Sequence, residues 1–270
     1  MTATETIKLP DAKLQDGEAV VLQRGVSQPF YEDSHITLYN ADCREVLPHL
    51  QISNAFCFTD PPYNVGKDYG VWNDEMPEAD YLKFCREWIA EVKRLCPEIC
   101  IYPPTKYLLE YWTMLGREYK QIALTWSPEG AIRGGWVNQF VTMLTNAKPK
   151  QRTKDWWHNC QMQGLGYFFR EESYGHPGYT SEDVTNRVLA AMCPADATVI
   201  EPFAGTGTTL WCAKLRGMKA IGCEVNPAYC KLIADRCSQG VLGLANDGTQ
   251  RRRDADAPIA TETRTRRSLE

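Results

Sequence analysis

Six consecutive residues, Thr59-Asp60-Pro61-Pro62-Tyr63-Asn64, follow the short apolar run Ala55-Phe56-Cys57-Phe58. The run reads as a strand, so the six stand together at a sheet edge. Asp60 is a carboxylate acceptor. Pro61 and Pro62 have fixed φ and no N–H, so their carbonyls can point outward without a competing donor beside them. Tyr63 offers an aromatic face. Together they form a cradle for a planar amino group, with two acceptors for its N–H bonds and a ring on which its base can stack. A Pro-Pro pair also ends strands in ordinary turns, so the motif gains meaning only from a partner elsewhere in the chain.

That partner is the stretch Ala197–Leu210, which reads as strand, glycine turn, helix. Thr198-Val-Ile is a buried-strand run. Gly205 and Gly207 allow φ > 0 and a close approach of backbone to ligand. Thr206, Thr208 or Thr209 can cap the helix through Leu210–Leu215. A helix N-terminus of this kind offers N–H groups to an anionic ligand group. A second strand, Lys219–Cys223, ends in Glu224. An acid about 20 residues past a glycine turn binds the ribose diol in Rossmann-type nucleoside sites. The dinucleotide spacing G-x-G-x-x-G is broken by Leu210, which argues against NAD and for a smaller nucleoside ligand.

The pairing of Asp60-Pro61-Pro62-Tyr63 with Phe203-Ala204-Gly205-Thr206-Gly207 resembles the S-adenosylmethionine-dependent DNA amino-methyltransferases. The order, amine motif before cofactor motif, resembles the β group of that family. The likeness runs from about Ile36 to Leu244. Within it, Ile36-Thr-Leu-Tyr-Asn-Ala-Asp42-Cys43 resembles the family's opening LYNGDC stretch, whose Asp lies beside the cofactor adenine. Asp42 is equally placed to cap a helix over Arg44–Leu50. Asn226-Pro227-Ala228-Tyr229 after Glu224 matches the family's E-x-x-P-x-Y helix opening. The resemblance implies S-adenosyl-L-methionine as cofactor, with Asp42, Cys43, Asp60, Glu201, Phe203, Ala204, Gly205, Thr206, Gly207, Thr208, Glu224, Val225 and Asn226 around it. There are two departures. Glu201 stands where the family usually has Asp, and the longer acid is expected to accept from the methionine ammonium. The family's His-Pro-Thr-Gln-Lys-Pro stretch is His176-Pro177-Gly178-Tyr179-Thr180-Ser181 here, so Thr180 replaces a lysine whose work must be done otherwise or not at all.

A chain of 270 residues with 43% hydrophobic side chains can bury one large core. No stretch reaches about 18 apolar residues, so no membrane span is expected, and the N-terminus lacks a signal pattern. The eleven cysteines include no Cys-x-x-Cys pair, so no metal site is expected; Cys212, Cys230 and Cys237 fall on helices and should pack as small hydrophobes. Their odd number, in a chain with no signal pattern, indicates a reduced, cytoplasmic setting, and the resemblance implies a bacterial or phage-encoded protein. A net charge of −4 leaves room for a local basic groove, because phosphate binding depends on the local field.

Strands and helices alternate along the chain. Tyr81–Leu95 is an amphipathic helix and Tyr107–Leu115 another. Strands are expected at Ile99–Tyr102, Gln121–Thr125 and Gln139–Leu144, and a helix over Ser181–Met192 leads to the glycine loop. This alternation indicates an α/β fold: a doubly wound, mainly parallel sheet with helices on both faces, Rossmann-like, carrying a short inserted recognition segment. Ligands bind beyond the strand C-termini in such sheets, so both motifs can face one cleft. The expected organisation is an arm over 1–34, a catalytic domain over 35–244 with the recognition segment at about 146–176, and a disordered tail over 245–270. The Gly- and polar-rich loop Lys67–Glu75 is a candidate lid. In the recognition segment Lys148, Lys150, Arg152 and Lys154 lead into Trp156 and Trp157. Basic and aromatic residues together can track a backbone and wedge or stack bases; a partly buried aromatic loop under a charged face has the same composition.

The resulting expectation is methyl transfer to the N6 amine of an adenine flipped out of double-stranded DNA. Asp60 and the Pro61 carbonyl accept the amine hydrogens, and Tyr63 stacks on the base. Cytosine N4 presents the same amine geometry; in the resembling family Asp at the first motif position leans to adenine. A non-catalytic, cofactor-sensing DNA-binding protein is a rival, and loss of Asp60, Tyr63 or the glycines would have favoured it. RNA is a third possibility, and the motif order leans to DNA by resemblance. A homodimer and a cognate restriction endonuclease are the further partners implied.

Overall fold

The computed structural model describes residues 21–22, 28–116, 118–125, 132–133, 136–137, 140–151, 155–157 and 181–239. Thr180, Arg152, Lys154 and the 245–270 tail lie outside them. The strands of the main sheet are β1 (Tyr31–Glu32), β2 (Ile36–Asn40), β3 (Ala55–Thr59), β4 (Glu98–Ile101), β5 (Lys120–Thr125), β6 (Phe140–Thr145), β7 (Trp156–Trp157), β8 (Thr198–Glu201) and β9 (Ala220–Glu224). Their spatial order is β7-β5-β6-β4-β3-β8-β9-β2-β1. The run from β4 to β2 is parallel throughout, whereas β6 and β1 run antiparallel to their neighbours. Every residue of β3, β8 and β9 is buried. That is why these segments read as unbroken apolar runs: a parallel strand covered on both faces has no polar side to show.

The covering helices are α1 (Cys43–Val46), α2 (Glu78–Leu95), α3 (Leu108–Leu115), α4 (Glu182–Ala191), α5 (Thr208–Leu215) and α6 (Pro227–Ser238). Successive strand residues alternate between two cores. Phe56, Phe58 and Val199 pack with Val188 of α4, Leu210 of α5 and Ile233 of α6. Cys57, Ile200 and Cys223 pack on the other side with Trp88 of α2 and Tyr111 of α3. Helix α2 buries Tyr81, Phe84, Cys85, Trp88, Ile89, Val92 and Leu95 on one face, and carries Glu78 and Asp80 in its first turn and Lys93 and Arg94 in its last, matching its dipole. The cysteines among the described residues are free and buried.

Connections leave the β3/β8 pair in opposite directions. From β3 the chain passes through α2 to β4 on one side; from β8 it passes through α5 to β9 on the other. The crevice at the C-terminal ends of β3 and β8 is therefore the topological switch point, where doubly wound sheets bind ligands.

Two segments differ from expectation. Tyr31–Glu32, read as part of an arm, is an edge strand on β2. Trp156 and Trp157, read as a recognition loop, form an edge strand parallel to β5. Aromatic residues favour a pleated, half-covered position of this kind. Trp157 is 7% exposed, within the same core as Ile122 and Leu124, with the Arg187 guanidinium 5.6 Å from its ring centroid. A ring so covered cannot stack on a base, so the base-wedging role expected for Trp157 is withdrawn. Truncating Trp157 to Ala should destabilise the protein by about 3–5 kcal/mol, read as a lower urea midpoint. An unshifted midpoint with altered DNA selectivity would return the ring to the recognition surface.

Candidate active site

The cleft at the switch point is lined from both sides. Asp60, Pro61, Pro62 and Tyr63 come from the loop after β3; Glu201, Phe203, Ala204, Gly205, Thr206 and Thr208 come from the end of β8 and the loop after it. Glu224 and Val225 close one end from β9, and Asp42 and Cys43 join from the start of α1. Of the residues expected around the amine and the cofactor, Gly207 and Asn226 are the two that do not line the cleft directly; both shape its wall.

Gly207 is the N-cap of α5, with φ 79° and ψ 19°. A Cβ there would lie 2.9 Å from Cγ1 of Ile233, so both the left-handed backbone and the tight packing require glycine. The threonine caps expected from sequence are not used: no side chain caps α5. The Thr209 hydroxyl instead donates to Glu201 Oε2 at 2.8 Å, and Thr206 and Thr208 hydroxyls face each other at 3.4 Å. Beneath the loop the buried Arg236 donates to the Thr206 carbonyl at 3.1 Å. Glu224 accepts from the Gly205 N–H and the Asn226 N–H, each at 2.8 Å. The strand-end acid thus grips the glycine loop as well as facing the cleft.

On the Asp60 side, Asn64 adopts a left-handed φ of 55°, turning the chain away after Tyr63. The Pro62 carbonyl is not an outward acceptor as expected: the Tyr81 hydroxyl of α2 donates to it at 2.8 Å. This bond anchors the loop to α2. Asp42 is the N-cap of α1, accepting from the Arg44 N–H at 2.9 Å, and is ion-paired with the Arg44 side chain at 2.8 Å. It fulfils the capping role while still lining the cleft.

The loop from Lys67 to Glu75 borders the cleft and contributes Lys67, Tyr69 and Trp72 to its lining. Buried Asp74 organises the loop by accepting the N–H groups of Asn64 at 2.8 Å and of Val65 and Lys67 at 3.0 Å. Its far side is tied to the segment after β9, where the Asn226 amide donates to the Tyr69 carbonyl at 3.0 Å. Lys67 Nζ stands 5.7 Å from the Tyr63 ring centroid. Phe84 of α2 also lines the cleft and packs on Trp72 and Phe203, with ring centroids 4.9 and 5.9 Å away. Helical spacing in the sequence places Phe84 in the core. Aromatic residues flanking an amine motif are the signal for the loop residues; nothing in periodicity separates Phe84 from its core neighbours.

Lys148 and Lys150 are exposed just beyond β6. Their backbones are fastened, Lys148 N–H to Glu98 Oε1 at 3.1 Å and Lys150 N–H to the Ala191 carbonyl at 2.8 Å, so their side chains stand on a fixed surface.

Burial dominates the electrostatics. Glu201 is 4% exposed and its carboxyl is pushed up to about 8, chiefly by desolvation, against the pull of bonds from Thr59, Thr209 and the Phe203 N–H. Glu224 is pushed up to about 7 by burial, opposed by its backbone N–H partners. The Tyr63 phenol is held well above its ordinary value by burial and then by the Asp60 carboxylate beside it. The residues fit a nucleoside bearing a cationic amino acid arm. The strand-end acid suits ribose hydroxyls, the glycine loop admits close approach, and the carboxylates offer acceptors to a cation.

The sequence pattern of the DNA methylase family matches residues 55–98 and 99–235. Among characterised proteins, the type II methyltransferase M.HpaI of Haemophilus parainfluenzae is 26% identical over 69% of this chain and 68% of its own. M.ScaI of Streptomyces caespitosus is 24% identical over 87% of this chain and 90% of its own. The fold is shared with M1.HpyAVI, solved with SAM (TM-score 0.53, 17% identity, 75% of this chain and 99% of that one). It is also shared with the cytosine-N4-specific PvuII DNA methyltransferase (TM-score 0.57, 16% identity, 77% and 88%).

The two raised acids predict a pH signature in the ligand-free protein. A carboxyl that holds its proton more tightly folded than unfolded stabilises the fold at low pH, and that contribution fades as pH rises from the ordinary 4.5 towards about 8. Melting temperature should therefore fall more steeply between about pH 5 and pH 8 in the wild type than in Glu201→Gln. Parallel curves would show that Glu201 keeps an ordinary pKa.

Proposed function

Because the chain belongs to the DNA methylase family of N6/N4 amino-methyltransferases, we propose that it methylates the N6 amine of an adenine flipped out of a specific site in double-stranded DNA. The methyl donor is S-adenosyl-L-methionine, which when bound supplies an electrophilic methyl group on a sulfonium. One observation carries the reading: Asp60-Pro61-Pro62-Tyr63 and the Gly205–Gly207 loop end adjacent parallel strands and face one cleft.

An exocyclic amine is a poor nucleophile because its lone pair is delocalised into the ring. Asp60 and the Pro61 carbonyl accept its two hydrogens, which favours a pyramidal nitrogen with its lone pair directed out of the ring plane. Positive charge develops on that nitrogen, and Asp60 stabilises it by preorganised electrostatics rather than by prior proton abstraction; Asp60 then takes the proton that the methylated nitrogen sheds and passes it to solvent. The Tyr63 ring holds the base, with stacking of about 1–3 kcal/mol. Glu224 receives the ribose hydroxyls, and Asp42 and Cys43 lie at the adenine end. Val225 and Phe203 flank the nucleoside, and Asn226 holds the Lys67–Glu75 loop in place. Lys148 and Lys150, with Arg152 and Lys154, contact DNA phosphates. The type II designation of the relatives makes a restriction–modification setting part of the proposal.

Asp60→Ala should abolish methyl transfer while cofactor affinity, measured by calorimetry, stays within a few fold. Activity near wild type would end the assignment of Asp60. Digestion of methylated duplex to nucleosides should yield N6-methyladenine; N4-methylcytosine would overturn the choice of base and keep the chemistry.

Replacing Lys148, Lys150, Arg152 and Lys154 together by Ala should flatten the log-affinity against log-salt slope for duplex DNA, by about 0.9 for each phosphate that is no longer neutralised. An unchanged slope in a salt titration would move the DNA surface elsewhere.

A further inference from the structure

Glu201 departs from the acid usual in the resembling family by one methylene, and the structure shows what the extra length reaches. Oε1 accepts from the Thr59 hydroxyl at 2.5 Å and from the Phe203 N–H at 3.2 Å, and Oε2 accepts from the Thr209 hydroxyl at 2.8 Å. Thr59 is fully buried and immediately precedes Asp60. Thr209 lies in the first turn of α5, just after the glycine loop, and also lines the cleft. The paired residues of β3 and β8 run Ala55–Thr198, Phe56–Val199 and Cys57–Ile200. Beyond Cys57 and Ile200 the two motif-bearing strand ends have left their shared ladder, and the Glu201 carboxyl group joins them instead.

We propose that Glu201 is a positioning residue: with Thr59 and Thr209 it forms a brace that sets the amine-binding loop at a fixed distance from the glycine loop. The proposal rests on Asp60 being the amine acceptor. Methyl transfer needs donor and acceptor within about 3–3.5 Å and aligned, and a displacement of about 1 Å can cost on the order of 100-fold in rate. The two groups are brought by loops distant in sequence, so their separation is only as well defined as the link between the strand ends. A carboxyl group spanning both hydroxyls supplies that link where the backbone no longer does. The brace also reassigns Glu201: its oxygens are committed to the protein, and holding the methionine ammonium is not its main task.

The test uses the full chain and two readouts, cofactor affinity by calorimetry and single-turnover methyl transfer to duplex DNA at saturating cofactor. Thr59→Val, which removes only the hydroxyl, should lower the single-turnover rate by about 10–100-fold while the cofactor dissociation constant moves by no more than about threefold. Thr59→Ser should restore the rate to within about threefold of wild type. Thr209→Val cuts the other end of the brace and should show the same split, and it decides the question should Thr59→Val fail to fold. A wild-type rate in either folded valine variant overturns the proposal. So does a Glu201→Gln variant whose whole defect is weakened cofactor binding with an unchanged saturated rate, which would make Glu201 a cofactor ligand. Asp60→Ala is run alongside: if that variant stays active, the amine-acceptor reading fails by itself, whatever the valine variants do.

Discussion

The parallel pairing of β3 with β8 is the constraint on which the rest of the cleft depends. Each strand delivers one half of the chemistry at its C-terminal end, and parallel neighbours put both ends on the same side of the sheet. An antiparallel pairing would have sent the amine motif and the glycine loop to opposite edges. Because the connections from this pair diverge, through α2 on one side and α5 on the other, no crossover covers the crevice between them. Helix α2 approaches from the flank and serves as a wall: Tyr81 pins Pro62, and Phe84 fills the space between Trp72 and Phe203.

The Lys67–Glu75 loop shows how a polar, glycine-rich segment can be held without a core of its own. Buried Asp74 satisfies three neighbouring N–H groups that would otherwise need water. Asn64 exchanges side-chain bonds with the Met76 backbone at 3.0 and 2.7 Å, closing the loop's base. The Asn226–Tyr69 bond then fastens its outer part to the strand that carries Glu224. The loop thereby links the Asp60 side of the cleft to the Glu224 side by a second route, independent of Glu201.

Charge in the cleft is arranged against solvation. Asp42, Asp60, Glu201 and Glu224 line it, and Lys67 is the cation from the described residues that joins them. Removing carboxylates from water is costly, and the raised values of Glu201 and Glu224 express that cost. The hydroxyl and N–H donors around each acid offset part of it. A cationic ligand would offset more, so the chemistry of the ligand and the electrostatics of the protein are complementary. Reaction-centre charge that is positive throughout methyl transfer suits such a cleft.

Much of this is legible in the amino-acid sequence alone. The strand ends at Thr59, Glu201 and Glu224, the glycine turn and the α2 face all follow from local patterns, because burial on a strand or helix repeats with a fixed period. The residues suited to meet an amine or a ribose are legible too, since their chemistry travels with their identity. Tertiary structure alone decided which strands are neighbours, and that choice gave each motif its partners. It turned the Pro62 carbonyl to Tyr81, replaced the threonine caps of α5 by Gly207, and sent the Thr209 hydroxyl to Glu201. It also drew Trp157 into the sheet edge and the core, where composition alone left a recognition loop and a partly buried aromatic loop both open. The physical reason is common to all four. A side chain's periodicity reports only that it is covered, whereas its hydrogen-bond partner is set by contacts across the fold between segments far apart in the chain.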